Sequence, residues 1–275
     1  MAEVKQRVVH VDGVRVFFRQ VAGNGPPVLF VHGHPTHSED WQPFLERLEV
    51  PAVALDLPGW GASTQRRPGF DGSMNGLARF LERFCTRLAI DEYSLCVHDA
   101  GAVALIAAQR QPERVRRLAL INALPLLEGY RWHWIVRWFW RVAFLGEPSN
   151  ATATEARLRP VPAQASVGPG PLADELIESA YSRRPPGQWP AALELYRSTD
   201  PGLLAAAGAR LGELRCPALV AWGLDDPYLP PEFAAAYAER LPGAELIELE
   251  GAGHWPWLDR PELVDRVVAF FNQDR

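Results

Sequence analysis

Cysteine is scarce and odd in number. Three thiols, Cys85, Cys96 and Cys216, stand far apart in 275 residues, which excludes both a disulfide framework and cysteine-based metal spacing. Each reads as a buried apolar thiol. Surplus positive charge is also missing: the net charge is -5 and the pI about 5.8, which argues against a nucleic-acid partner. No glycine-rich phosphate cradle occurs. The histidines lack ligand-like spacing to acids or cysteines, so no metal and no cofactor is expected. The opening residues, MAEVKQRVVHVDG, alternate like a strand instead of forming a charged segment followed by an apolar one. A cytoplasmic protein without a membrane span is expected.

What is present is an ordinary folded composition, 48% hydrophobic and 22% charged, in a length that suits one α/β unit carrying an insertion. Short β-branched runs alternate with helical stretches, the pattern of a mostly parallel sheet covered on both faces. Strands are expected at Val14–Phe18, Val28–Val31, Ala52–Leu55, Ser94–Val97, Leu118–Ile121, Ala218–Ala221 and Glu245–Leu249. Helices are expected near Glu39–Leu48, Met74–Leu88, Ala102–Arg110, Glu232–Arg240 and Pro261–Asn272. From about Leu124 to Gly208 the rhythm breaks. This stretch has no convincing strand, many tryptophans and the Pro/Gly-rich run RPVPAQASVGPGP. The expected division is a core over 1–123, a helical cap over 124–208 and the rest of the core over 209–275.

Four motifs follow one another in a fixed order. Val31-His32-Gly33-His34-Pro35 comes directly after a buried strand, and Asp56-Leu57-Pro58-Gly59-Trp60-Gly61-Ala62-Ser63 after the next. Val97-His98-Asp99-Ala100-Gly101 marks a strand-to-helix turn. Trp222-Gly223-Leu224-Asp225-Asp226-Pro227 then pairs with Gly251-Ala252-Gly253-His254-Trp255-Pro256. Helix capping would account for Asp99 alone, and a core histidine for His254 alone, but neither accounts for the ordered set.

Over nearly the whole chain outside the cap, this set resembles the α/β-hydrolase fold family. The resemblance implies a nucleophile on a sharp strand-to-helix turn with small neighbours, here Asp99 beside Ala100 and Gly101, followed in chain order by an acid and a histidine. The spacing Trp-Gly-x-x-Asp favours Asp226 as the acid, with Asp225 a turn residue. Glu128 is an outside candidate, because some dehalogenases take their acid from that place. The oxyanion donors implied are the backbone N–H groups of His34 and Ala100. His32 and His98 are expected to support the loops, and Ser63 to pack.

Aspartate at the elbow separates this chain from lipases and esterases. A carboxylate attacking an ester would give an anhydride, but at a saturated carbon it opens an epoxide or expels a halide. Either reaction leaves an alkyl-enzyme ester, which a histidine-activated water then hydrolyses. The resemblance is to epoxide hydrolases and dehalogenases. Ala100 stands where haloalkane dehalogenases usually place a halide-binding tryptophan, and where haloacetate dehalogenases tend to place an arginine. Val97, in contrast, is dehalogenase-like. Ala192–Arg197 resembles the cap segment that carries an epoxide-activating tyrosine, here Tyr196, with Tyr130 preferred to Tyr181 as a second. The stretch YRWHWIVRWFWRVAF from Tyr130 to Phe144 is too short and arginine-rich to span a bilayer. It is expected to roof the site, with Trp132, His133 and Trp134 lining a pocket for an apolar small molecule or donating to a leaving group.

The reading with most support is an epoxide hydrolase-like enzyme acting on its substrate and water. A dehalogenase using His34 or Trp132 as halide donor is second. A cofactor-free lyase or isomerase, and a ligand-binding protein that has lost turnover, complete the set.

Overall fold

Val28–Val31 is apolar at every position because both of its faces are covered: all four residues are buried in the middle of an eight-stranded sheet. The computed structural model describes residues 2–63, 69–134, 136–142, 145, 178 and 188–273. The strands are β1 (Val4–Val11), β2 (Val14–Val21), β3 (Val28–Val31), β4 (Ala52–Leu55), β5 (Tyr93–Asp99), β6 (Val115–Ala123), β7 (Ala218–Gly223) and β8 (Glu245–Leu249). Their order is β1-β2-β4-β3-β5-β6-β7-β8. β1 and β2 form an antiparallel hairpin whose turn residues, Asp12 and Gly13, both have positive φ, as Asp-Gly turns require. β2 also meets β4 antiparallel, and the remaining pairs are parallel. The chain adopts the α/β-hydrolase architecture, and its strands match the expected runs to within a few residues at each end.

Helices cover both faces. On one side lie α1 (Met74–Arg87) and α2 (Val103–Arg110). α1 opens at Ser73, whose hydroxyl accepts the Gly76 N–H at 3.1 Å, a standard side-chain cap. It buries Leu77, Phe80, Leu81 and Phe84, each worth roughly 1.5–3 kcal/mol in transfer terms. The C-terminal helix Glu262–Asn272 covers the opposite face, setting Leu263, Val267 and Phe271 among Phe30, Trp41 and Phe44. The helix expected over Glu39–Leu48 is instead a 3-10 turn, Ser38–Trp41, followed by one α-turn, Gln42–Leu45. Pro43 lacks the N–H that would bond back to Glu39, which breaks a continuous helix.

The segment between β6 and β7 is the insertion. Among its described residues there is no strand; it holds a π-helical turn at Val136–Trp140, α3 (Gln188–Arg197), α4 (Pro201–Ala207) and a 3-10 turn at Leu211–Glu213. Gly208 closes the insertion on its own start: a methyl group there would lie within 3 Å of the Leu126 backbone. The Pro/Gly-rich run and Tyr181 lie outside the described residues. No helix among those described is long and apolar enough to cross a membrane.

Candidate active site

β5 is buried along all seven residues and sits between β3 and β6, so whatever it carries at its end emerges at the centre of the sheet. It carries Asp99, at φ 45° and ψ -125°. A non-glycine residue in such a conformation is held by its surroundings, and such positions cluster at functional sites. The surroundings leave no spare room. A methyl group on Gly33 would come 2.6 Å from Asp99 Oδ2, and one on Gly101 would come 2.8 Å from the Val31 carbonyl carbon. The Asp99 side chain makes no helix-capping bond, so capping does not explain it. Its Oδ2 accepts the His34 N–H at 2.9 Å, and the Ala100 N–H also bonds to it. Burial pushes the Asp99 carboxyl above its usual range, against the opposing pull of His254 and these two amides.

His254, after β8, directs Nδ1 at Asp226 Oδ2 at 2.7 Å, with both side chains buried. Because Nδ1 donates to a carboxylate, the lone pair of the neutral ring is on Nε2. Burial disfavours its cation, but Asp226, Asp99 and Asp40 outweigh that and raise the His254 pKa. Asp226 also accepts the Tyr228 and Leu229 N–H groups on Oδ1, at 2.8 and 3.1 Å. Asp225 and Glu128 are exposed, which removes both as partners of the buried histidine.

Asn122, at the end of β6, escaped the sequence reading. It donates to Asp226 Oδ2 at 2.7 Å and ties itself to β7 by accepting the Gly223 N–H at 2.9 Å. A polar residue ending the apolar run LALINA was the available signal.

The remaining motif residues build the floor. His32 accepts the Leu57 N–H on Nε2 at 2.9 Å and so donates from Nδ1 to the Gly33 carbonyl at 2.7 Å. Burial lowers its pKa to about 4. His98 donates from Nε2 to the His254 carbonyl at 2.8 Å, and burial holds it well below the usual imidazole range. Ser63 donates to the Asp56 carbonyl and accepts the Phe17 N–H. Asp56 accepts the N–H groups of Ser38 and Ala62, joining the first two motif loops. Trp60 adds a further tie, donating its indole N–H to His34 Nδ1 at 3.2 Å.

Above this floor the insertion supplies aromatic side chains. Tyr196 is buried, with its ring 5.9 Å from that of His34, and Tyr130 is buried against Trp132 and Phe233. Burial and the charge of Asp99 push both phenols well above their usual range, so both stay protonated donors. Trp140 and Trp189 lie against His34 as well. Trp132 turns its ring to Tyr196, but its indole N–H is spent on the Thr199 carbonyl at 3.3 Å. His133 is half-buried against Tyr228, which in turn faces the His254 ring. Trp134 is 56% exposed, with its ring 5.5 Å from that of His133. Trp138, in the same aromatic stretch, is also exposed. Among the described residues no three His, Cys, Asp or Glu side chains cluster as a metal site would need.

The family model for the alpha/beta hydrolase fold matches residues 26–261, from just before β3 to past His254. The chain belongs to the alpha/beta hydrolase fold family. Among its relatives in that family is the pimeloyl-[acyl-carrier protein] methyl ester esterase of Nitrosomonas europaea. It is 28% identical over 250 residues, which cover 88% of this chain and 94% of the relative. Haloalkane dehalogenase 2 of Mycobacterium bovis is 26% identical over 278 residues, covering 90% and 87%. In three dimensions the chain superposes on the epoxide hydrolase CorEH with a TM-score of 0.83. The identity is 20%, and the coverage is 99% of this chain and 100% of that one. These hydrolase-fold relatives carry different activities, so membership leaves the reaction to the side chains at the site.

Proposed function

We propose that this α/β hydrolase opens an epoxide on an apolar small molecule through an alkyl ester on Asp99. The observation that carries the reading is a carboxylate, in place of a hydroxyl, on the strained elbow beside the buried His254–Asp226 pair. Asp99 forms a bond to a ring carbon as the carbon–oxygen ring bond breaks, and Tyr196, aided by Tyr130, hydrogen-bonds and protonates the departing oxygen. Water then gives a proton to His254 Nε2 and adds to the ester carbonyl. Its oxyanion is held by the His34 and Ala100 N–H groups. The alcohol leaves with the ester bond electrons and takes the proton back from His254, and the second water proton restores the tyrosine. One epoxide and one water give one diol, with Asp226 orienting His254 throughout. Neither cofactor nor metal enters this scheme. Residues 124–208 act as the cap, and their aromatic lining favours an apolar substrate.

A dehalogenase is the second reading, favoured by the rings of Trp140 and Trp189 packed against His34, whose backbone N–H holds Asp99. Trp132 is a poor halide donor, since its N–H is already engaged.

The test is the intact mass of a His254→Gln variant after exposure to panels of epoxides and haloalkanes. Without its base the enzyme should retain the ester. A gain equal to a whole epoxide, mapped to Asp99, supports the first reading. A gain equal to a haloalkane less hydrogen halide supports the second. A label on another residue, or none on a folded protein, removes both and leaves lyase or binding activity.

A further inference from the structure

The His34 ring is a donor or an acceptor toward the pocket depending on which nitrogen carries its proton, and a neighbour outside the pocket decides that. Indole N–H groups only donate. Trp60 directs its N–H at His34 Nδ1, at 3.2 Å, from the loop of the second motif. Nδ1 must therefore present a lone pair, and the neutral ring must carry its proton on Nε2. Nε2–H then points away from Trp60, and the His34 ring is packed among rings from the insertion. Those are Trp189 at 5.1 Å, Trp140 at 5.5 Å and Tyr196 at 5.9 Å. The backbone N–H of the same residue holds Asp99 Oδ2, which fixes the ring relative to the attacking carboxylate. Trp60 is in turn anchored, since its N–H is one of several ties between the two loops: Leu57 to His32 and Asp56 to Ser38 flank it.

We propose that Trp60 is a positioning residue that locks His34 in the Nε2–H tautomer. His34 then stands beside Tyr196 as a second hydrogen-bond donor for the leaving atom. The inference rests on the Asp99 ester reading for its chemical consequence. It commits the pocket to substrates whose leaving atom accepts hydrogen bonds from two sides, an epoxide oxygen or a halide.

Two measurements on the full chain test it. First, long-range proton–nitrogen NMR of protein labelled with ¹⁵N-histidine, with His34 assigned by a His34→Gln variant, reads the tautomer directly. A proton on Nε2 with none on Nδ1 is expected for His34, and a proton on Nδ1 overturns the inference whether or not any substrate is known. Second, Trp60→Phe keeps a ring and removes the donor. In the variant the His34 signals should shift to a mixture of tautomers. In a His254→Gln background, ester formation from styrene oxide should slow about tenfold, the effect of one neutral hydrogen bond. With His254 intact, ester hydrolysis should keep its rate. If ester forms on Asp99 but Trp60→Phe changes neither its rate nor the tautomer, this inference fails and the ester reading stands. If no ester forms while His34 is Nε2-protonated and responds to Trp60→Phe, the ester reading fails and the tautomer lock stands. Should Trp60→Phe not fold, the wild-type tautomer decides alone.

Discussion

Asn122, at the end of β6, and His254, in the loop after β8, donate to the same oxygen of Asp226, each at 2.7 Å, though more than a hundred residues separate them. The other oxygen takes two backbone amides. With four donors on one buried carboxylate, Asp226 is fixed in orientation, which is what a base-orienting acid requires.

Removing one of those donors should be felt in the second half-reaction. Asn122→Ala is expected to slow ester hydrolysis at least tenfold while leaving ester formation nearly unchanged, and to lower stability by about 1–3 kcal/mol. Pre-steady-state kinetics with mass detection checks this. Equal slowing of both steps would mean that Asn122 serves only folding.

The two tyrosines separate the substrate classes. Tyr196→Phe should reduce the rate of epoxide opening about tenfold or more and slow any haloalkane reaction clearly less, since a halide loses one hydrogen bond but needs no proton. Tyr130→Phe should act in the same direction more weakly. Diol and halide release measured side by side would decide, and equal losses on both substrates would contradict the assignment.

Gly33 and Gly101 are required by contact at the elbow. Gly33→Ala would force a methyl against the Asp99 carboxylate, and Gly101→Ala would force one against the Val31 carbonyl. Each should lower stability by about 2–4 kcal/mol and abolish ester formation. Thermal melts and the trapping assay on the same preparations test this. A Gly33→Ala protein with normal trapping would contradict the packing seen here.

The pH profile should have an acid limb with two origins. Burial raises Asp99, so ester formation falls as pH drops through a value above the ordinary 3.8. The His254 pKa is raised above 6.5, chiefly by Asp226 working against burial, and only the neutral ring takes a proton from water. Turnover should therefore begin to fall above pH 6.5 as acid is added, before ester formation does. Single-turnover rates of the two steps between pH 4 and pH 9 would show this, and ester hydrolysis unchanged down to pH 5 would refute it.

Asp40, whose charge also helps raise the His254 pKa, offers a test read in stability. Its buried carboxyl accepts the Thr36 hydroxyl, and burial raises its pKa to about 7. Because the folded state favours the protonated form, wild-type stability is lost as pH rises from about 4 to about 7. Asp40→Asn removes that loss. Its melting temperature should exceed wild type at pH 8, by up to about 4 kcal/mol in free energy, and the gap should close by pH 4. A gap of constant size would point to packing instead of charge.

Much of the core was legible because its signals are local. Val28–Val31 and Ala52–Leu55 are continuous apolar runs because both sheet faces are covered, and their bounds follow from that alone. Met74–Arg87 begins where Ser73 caps it. Over Glu39–Leu48, where a helix is expected, Pro43 splits the chain into a 3-10 turn and one α-turn, an effect of one missing N–H that apolar spacing does not carry. The exposed Trp134 shows a different limit. Which ring of an aromatic-rich stretch faces inward depends on how the stretch docks, and composition carries no direction.

By itself the sequence determined the sheet, the order of the motifs and the carboxylate on the elbow, because these depend on residue types at short spacings. Only the tertiary structure decided which of two acids is buried, that Asn122 completes Asp226, that Trp132 spends its N–H inside the insertion, and that Trp60 reaches His34. Those are meetings of residues tens to more than a hundred positions apart. Hydrogen-bond direction and burial there are set by how strands and loops pack, which no local pattern encodes.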